Sequence, residues 1–417
     1  MTRSAMRTLS LVAIALAAVL SSGPAFAQSA KVEQQFRQWL ETDLWPQAKA
    51  RGVSQRTFQR AFDGVTLNWD LPDLVPPGTK PKTPKKQHQA EFSAPAAYFA
   101  EKRISGLVAG GKTRRSKYAK TLAAIEKKYG VPGQIILAIW GRESGFGGAK
   151  IPHDAFRVLG TKAFMSTRKD LFLKEVLAAL EIVERGDVDA RAMKSSWAGA
   201  MGQPQFLPSS YLKFAVDFDG DGRRDIWNSV PDTLASIGNY LASYGWIRGR
   251  DWGFEVALPA SVSCALEGPD RGLIISEWAS MGIARVTGKP FPANESRSDG
   301  YLMNPAGRYG PNFVVTPNFY VLKEYNESDL YALFIGHVGD RIAYGNNRFS
   351  AGWGNVGNLH RSDVAAMQRT LEAKGYDVGG ADGFAGFKTR RSIGDWQAKS
   401  GLKQTCFPDA ALANALR

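Results

Sequence analysis

Apolar residues recur at three- and four-residue steps through most of the chain. Phe36, Leu40, Leu44 and Trp45, followed by Phe58 and Phe62, predict helices between Val32 and Phe62. Tyr118 to Tyr129 reads as an amphipathic helix stopped by Gly130. Pro132 then suits the first turn of a helix carrying Ile135, Ile136, Ile139 and Trp140. That stretch is apolar on every side, which predicts a buried helix. Gly141 and Gly145, flanking Arg142-Glu143-Ser144, predict a sharp exit from it. Leu171 to Val183 and Asp232 to Tyr244 predict two further helices. Residues 253–300 lose the helical period and are richer in Val, Ser, Pro and Gly, so a small strand-containing insertion is expected there. Residues 75–88 (VPPGTKPKTPKKQH) predict an extended, solvated loop. A Gly/Asn-rich linker over 346–358 leads into a last segment, 359–417. In it Val364, Met367 and Leu371 mark one helix, Ile393 and Trp396 mark another, and five glycines from Gly375 to Gly386 mark the loop between them. The fold class is therefore mainly α, with a helical N-terminal part, a small β-containing insertion and a C-terminal helical module.

The N-terminus adds a compartment to this picture. Arg3 and Arg7 precede an apolar run from Leu9 to Leu20, and Ala25-Phe26-Ala27 supplies small residues at a cleavage site. That layout predicts a signal peptide over 1–27, with an apolar run too short to span a bilayer. No cysteine lies near the cut to take a lipid, and no later stretch is long and apolar enough for a membrane span. The expectation is an exported protein with no transmembrane segment, acting as a monomer. Net charge then matters. The 417 residues hold 53 Lys and Arg against 39 Asp and Glu, a balance of +14 that becomes +12 without Arg3 and Arg7. Such a surface asks for a polyanionic partner. Export sets nucleic acid aside and favours an anionic polymer of the cell envelope. The two cysteines, Cys264 and Cys406, exclude a cysteine-rich scaffold or zinc ribbon, and they can pair only if the modules that carry them pack together.

Three segments carry candidate chemistry. Glu143 sits at the exit of the apolar helix with Trp140 and Phe146 beside it, where burial raises a carboxyl pKa as a general acid requires. The plainer alternative is a helix-end glutamate paired with Arg142. Residues 195–211 (SSWAGAMGQPQFLPSSY) interleave neutral hydrogen-bonding groups, among them Ser196, Gln203 and Gln205, with Trp197, Phe206 and Tyr211. Directional neutral groups beside apolar ring faces suit a carbohydrate, and a structural loop could have the same composition. Third, Asp217, Asp219, Asp221 and Asp225 at the first, third, fifth and ninth positions, with Gly222 at the sixth and Arg223 at the seventh, match an EF-hand calcium loop. Its twelfth position is Asn228 in place of the usual glutamate, so a metal-free Asx-rich turn, or a sodium site, is the alternative. His88, His153, His337 and His360 lack metal-ligand spacing and read as structural. Arg390 and Arg391 read either as contacts to anionic peptides or as surface charge.

These segments resemble a known family. IWGRESGFG (139–147), SSWAGAMGQPQFLPSSYLKFAVDFDGDGRRDIWNS (195–229) and TPNFYVLKEYNESDLYA (316–332) are similar to the lytic murein transglycosylases of the B type, and the likeness extends over most of residues 30–340. Residues 367–397 resemble the small three-helix peptidoglycan-binding domain. The resemblance implies a lysozyme-like catalytic region over 28–345, a binding domain over 359–417, and peptidoglycan glycan strands as the partner. It also implies Glu143 as the catalytic acid, with Ser196, Gln203, Gln205, Tyr240, Tyr325, Asn326 and Tyr331 touching substrate and Arg168 and Lys169 as a basic pair in the groove. Gln203-Pro204 replaces the family's tyrosine-glycine. A structural calcium or sodium ion would take Asp217, Asp219, Asp221, Arg223 and Asp232, and no catalytic cofactor is expected. The implied reaction uses one carboxyl group as acid and then as base, closing a 1,6-anhydro ring on the muramic acid. A hydrolytic muramidase, which needs a second carboxylate, and a non-catalytic wall-binding scaffold are the competing readings.

Overall fold

Burial explains why the apolar periods fold as helices. A computed structural model describes residues 24–81, 95–345, 347–356 and 359–416. The expected signal peptide up to residue 23, residues 82–88 of the Pro/Lys-rich stretch, and residues 346, 357 and 358 of the linker lie outside the described residues. Helix Gly133–Ser144 is the centre of the main core, with Ile135, Ile136, Leu137, Ile139 and Trp140 all buried. Each such side chain contributes about 1.5–3 kcal/mol on leaving water. Helices Glu101–Lys117, Val230–Ser243 and Asp329–Tyr344 pack around it. The N-terminal helices Pro24–Trp39 and Gln55–Phe62 join the same core through Phe36, Phe58 and Phe62.

The exit of the central helix is sharper than two glycines alone require. Gly145, Phe146 and Gly147 are all left-handed, at φ 57°, 62° and 79°. That backbone is uncommon and strained for phenylalanine. It turns the Phe146 ring back against Gly141, where any Cβ would collide with it, and edge-on to Trp140 at 5.4 Å.

Strands β1 (His153–Asp154) and β2 (Lys194–Ser195) form a short antiparallel pair. The insertion is a five-stranded antiparallel sheet of β3 (Gly253–Ala257), β4 (Leu273–Ile274), β5 (Ala284–Arg285), β6 (Asp299–Met303) and β7 (Asn312–Val315), in the order β4-β6-β7-β3-β5. It therefore runs past residue 300. β7 pairs with both β3 and β6, and its Val314 joins Phe254, Val256, Ile275 and Trp278 in a small second core.

The C-terminal module has three helices, Arg361–Ala373, Phe387–Lys399 and Ala410–Ala415, around Val364, Met367, Leu371, Ile393 and Leu412. It is docked on the rest of the molecule rather than strung from it. Cys264 and Cys406 form a disulfide, Tyr309 donates a hydrogen bond to Asp409 (2.7 Å), and the Arg308 amide donates to the Thr405 carbonyl (2.9 Å). Arg390 and Arg391 are buried in this interface, Arg390 on Glu267 and Asp329, Arg391 on Asp270. Neither reading of them as peptide contacts or free surface charge holds. The described part of the linker is ordered by contacts as well: Ser350 and Ala351 donate backbone N–H groups to the Glu255 carboxylate, and Phe349 and Trp353 pack with Phe99.

His337 lies under this linker, its ring 3.9 Å from that of Phe349. Burial, helped by the neighbouring Arg341, pushes its pKa down to about 4. The folded state thus holds a neutral imidazole that the unfolded chain protonates near pH 6.5. Its contribution is fully present above about pH 6.5 and is lost as pH falls toward 4, at up to about 1.4 kcal/mol per pH unit. Thermal melts between pH 7 and pH 4 should show that loss, and His337→Gln should flatten it.

Candidate active site

The turn after the central helix delivers Glu143 to a pocket of about 170 Å³. Its wall is built from Glu143, Ser144, the segment Ala149 to His153, and Ser196, Trp197 and Gln205. Glu143 is partly buried. Burial holds its carboxyl above the ordinary range, while a hydrogen bond from Tyr331 and the charge of Arg142 pull it down. The Tyr331 hydroxyl donates to Glu143 Oε1 at 2.5 Å, across 188 residues of sequence. Tyr331 itself is buried, and burial with the Glu143 charge keeps its phenol far above its usual pKa, so it stays a donor. Arg142, by contrast, points to Tyr98, donating to its hydroxyl at 3.1 Å, so the simple glutamate–arginine pair does not form.

A tyrosine array stands behind this bond. The Tyr325 ring lies parallel to that of Tyr331 at 6.5 Å, and its hydroxyl donates to the Pro204 carbonyl at 2.7 Å. Tyr240 packs on Tyr325 at 4.8 Å and donates to the Glu324 carbonyl at 2.6 Å. Asn326 is exposed at the end of helix Pro317–Tyr325, its side-chain oxygen accepting the Ser328 amide. Ser196 and Gln205 share the pocket with Glu143. Gln205 adopts a left-handed φ of 55° and donates to the Gly202 carbonyl, a strained backbone of the kind that collects at functional sites.

Gln203 is placed behind the site, not in it. Its amide oxygen accepts from Trp140 Nε1 at 2.8 Å and its nitrogen donates to the Trp227 carbonyl at 2.9 Å. It braces the central helix against the 195–229 segment. Arg168 and Lys169 are exposed at the start of helix Lys169–Glu184 and do not line the pocket. Arg168 reaches it indirectly. Its guanidinium stacks on Phe172, which also carries the ammonium of Lys162, and Lys162 in turn lies 5.2 Å from the Trp197 ring. Lys162 is fully buried, and burial lowers its pKa. The sequence reading passed over it, although a lone lysine in the apolar helix Ala155–Met165 was its signal. No motif marks the Lys150–His153 wall, and His153, read as structural from the sequence, stands on it.

In the acidic loop the carboxylates of Asp217, Asp219 and Asp221 converge, with ligand oxygens within 4.8 Å of one another. Asp232 is not among them. It is buried, and its two oxygens accept the amides of Phe218, Asp219 and Asp225, closing the loop from beneath. Arg223 is exposed and can offer only its backbone carbonyl. Three hard oxygen donors at this spacing fit a calcium-sized cation, with fewer protein ligands than a full EF-hand.

Comparison with known proteins identifies the chain's relatives. The family model for the transglycosylase SLT domain matches residues 35–340, and one for a peptidoglycan binding domain matches residues 360–416. Membrane-bound lytic murein transglycosylase B of Escherichia coli (strain K12) is 30% identical over 231 residues, 55% of this chain and 62% of that protein. The chain thus spans less than two thirds of that relative's length. The crystal structure of SltB3 from Pseudomonas aeruginosa in complex with NAG-anhNAM-pentapeptide aligns at a TM-score of 0.82 with 38% identity, covering 92% of this chain and 99% of that one. The Escherichia coli lytic transglycosylase SLT35 in complex with calcium aligns at 0.52 with 28% identity, covering 61% and 80% of the two chains.

The Tyr331 hydrogen bond opposes the effect of burial on Glu143. Tyr331→Phe should therefore raise the Glu143 pKa further, as read by carbon-13 NMR titration of the carboxyl group. An unchanged titration would show that the bond does not tune the acid.

Proposed function

The chain belongs to the transglycosylase SLT domain family, and from that premise we propose that it is a periplasmic lytic transglycosylase. It cleaves the β-1,4 bond between N-acetylmuramic acid and N-acetylglucosamine and leaves a 1,6-anhydro end. The observation that carries this reading is Glu143, a carboxyl whose pKa burial raises, in a pocket where, among the described residues, no second carboxylate forms the wall. Most glycoside hydrolases use a partner carboxylate to activate water or to act as nucleophile.

In the proposed reaction Glu143 gives its proton to the glycosidic oxygen as the bond from the muramic C1 breaks. The muramic C6 hydroxyl then attacks C1, and its proton returns to the Glu143 carboxylate. Protein charge is unchanged over the cycle. Burial favours the protonated form that starts it, and the Tyr331 hydroxyl stabilises the carboxylate in the middle. Ser196 and Gln205 are placed to hydrogen-bond sugar, and the half-exposed Trp197 offers a ring face for stacking.

The C-terminal helices, 359–417, bind peptidoglycan in this reading, and the basic surface suits that anionic polymer. The signal peptide accounts for export, and no described helix is long and apolar enough to cross a membrane. Asp217, Asp219 and Asp221, with the Arg223 carbonyl, hold a structural calcium ion within the loop, which Asp232 of helix Val230–Ser243 closes from beneath. The calcium complex of the SLT35 relative supports this assignment.

Purified sacculi treated with the protein should release muropeptides lighter by one water than hydrolysed ones, as seen by mass spectrometry. Glu143→Gln should cut that release by about 10²–10⁴-fold, the usual worth of a general acid. Reducing-end products would instead make the protein a hydrolase, and pelleting with sacculi without any products would make it a binding protein. Calcium should raise the melting temperature, since a ligand bound only to the folded state stabilises it. Asp219→Ala should abolish that rise.

A further inference from the structure

The loop that joins Tyr325 to Tyr331 is held from the C-terminal module. Asp329 opens helix Asp329–Tyr344, two residues before Tyr331. Its carboxylate accepts from Lys323 Nζ at 2.6 Å and from Arg390 Nη2 at 3.0 Å. Lys323 belongs to the helix that carries Tyr325, and Arg390 belongs to helix Phe387–Lys399 of the module. In the same turn, the Ser328 side chain caps the helix by accepting the Tyr331 amide. Asp329 is thus pinned from both sides at the point that sets the spacing of the two stacked tyrosines.

Arg390 is also the counter-ion of Glu267, a buried acid in the insertion, which it contacts through Nε and Nη2. One buried guanidinium therefore serves two acids from two parts of the chain, and Lys323 is the other cation recorded on Asp329. With Arg390 gone, Glu267 loses its only ion-pair partner among the described residues. Breaking a buried pair leaves an uncompensated charge that the surrounding structure must move to solvate. Asp329 would then be held by Lys323 alone, and the start of the helix that bears Tyr331 would lose its tie to the module.

We infer that Arg390 is a positioning residue for the active site: by holding Asp329 it fixes Tyr331 on Glu143, so the C-terminal module completes the catalytic framework as well as binding wall. This rests on Glu143 being the acid. The charged and titratable groups around Glu143 are Arg142 on its own helix (turned toward Tyr98), Tyr325 and Tyr331 behind it, and Lys150 and His153 on the pocket wall. None of these is altered by a change at Arg390 except through position.

The test uses the full chain and a short soluble glycan-peptide that does not depend on wall attachment. Glu143→Gln is run first, and its loss of turnover establishes the acid independently. Arg390→Met should then lower kcat at least tenfold, with KM nearly unchanged, and move the alkaline limb of the kcat–pH profile upward, because Tyr331 no longer lowers the Glu143 pKa. Arg390→Lys, which keeps the charge, should recover part of both effects. Tyr309→Phe removes the module contact to Asp409 without touching Asp329, so it should leave kcat and the profile at wild-type values. If Arg390→Met lowers only the melting temperature, or if Tyr309→Phe matches it, Arg390 is a structural tie and the inference fails. If Arg390→Met does not fold, Asp329→Asn reports on the same contact and should shift the limb in the same direction. An unshifted limb there would overturn the inference equally.

Discussion

A carboxyl group that must both give and take a proton needs surroundings that favour neither form too strongly. In the role proposed for Glu143, that balance sets burial at the end of an apolar helix against a hydrogen bond from Tyr331, helped by the charge of Arg142. Burial alone would keep the proton on, and a cation alongside would take it off. A neutral donor that itself cannot ionise sits between those extremes. Much of the architecture serves this contact. The triple left-handed turn fixes the end of the acid helix, Gln203 braces its Trp140, and the helices bearing Tyr325 and Tyr331 meet in a short loop that an ion pair clamps.

What could be read in advance followed the physics of short-range pattern. The buried helix before Glu143 was legible because its apolar residues have nowhere polar to turn, and its end was legible in the glycines. The likeness of 195–229 and 316–332 to known enzymes pointed to Ser196 and Gln205, which share the pocket with Glu143, and to Tyr325 and Tyr331 of the tyrosine array, but not to the 149–153 wall. Strand β7 escaped because Phe313-Val314-Val315 is buried on both faces and so lacks the alternation that marks a half-exposed strand.

Long-range electrostatics were not legible. Nothing local to Arg390 tells a surface arginine from a buried one whose partners lie 61 and 123 residues away. Gln203 shows the same limit in the pocket itself. Its place in a motif expected to touch substrate was visible, but only the fold reveals that its amide is bonded to Trp140 and to the Trp227 carbonyl. The acidic loop divided in the same way. Asp217, Asp219 and Asp221 converge as their spacing implies, whereas Asp232 spends its oxygens on backbone amides.

The disulfide between Cys264 and Cys406 encloses 142 residues of chain separation, including β7, both active-site tyrosines and the whole linker. A single protease cut between residues 347 and 356 would therefore yield two polypeptides that stay covalently joined. Attachment of the module does not depend on the continuity of the linker. It depends on the thiols having been oxidised, which in most organisms happens after export. Chains retained in a reducing cytosol would hold the module by the linker and non-covalent contacts alone. The full mechanical integrity of the molecule is thus acquired only in the compartment where its proposed substrate lies.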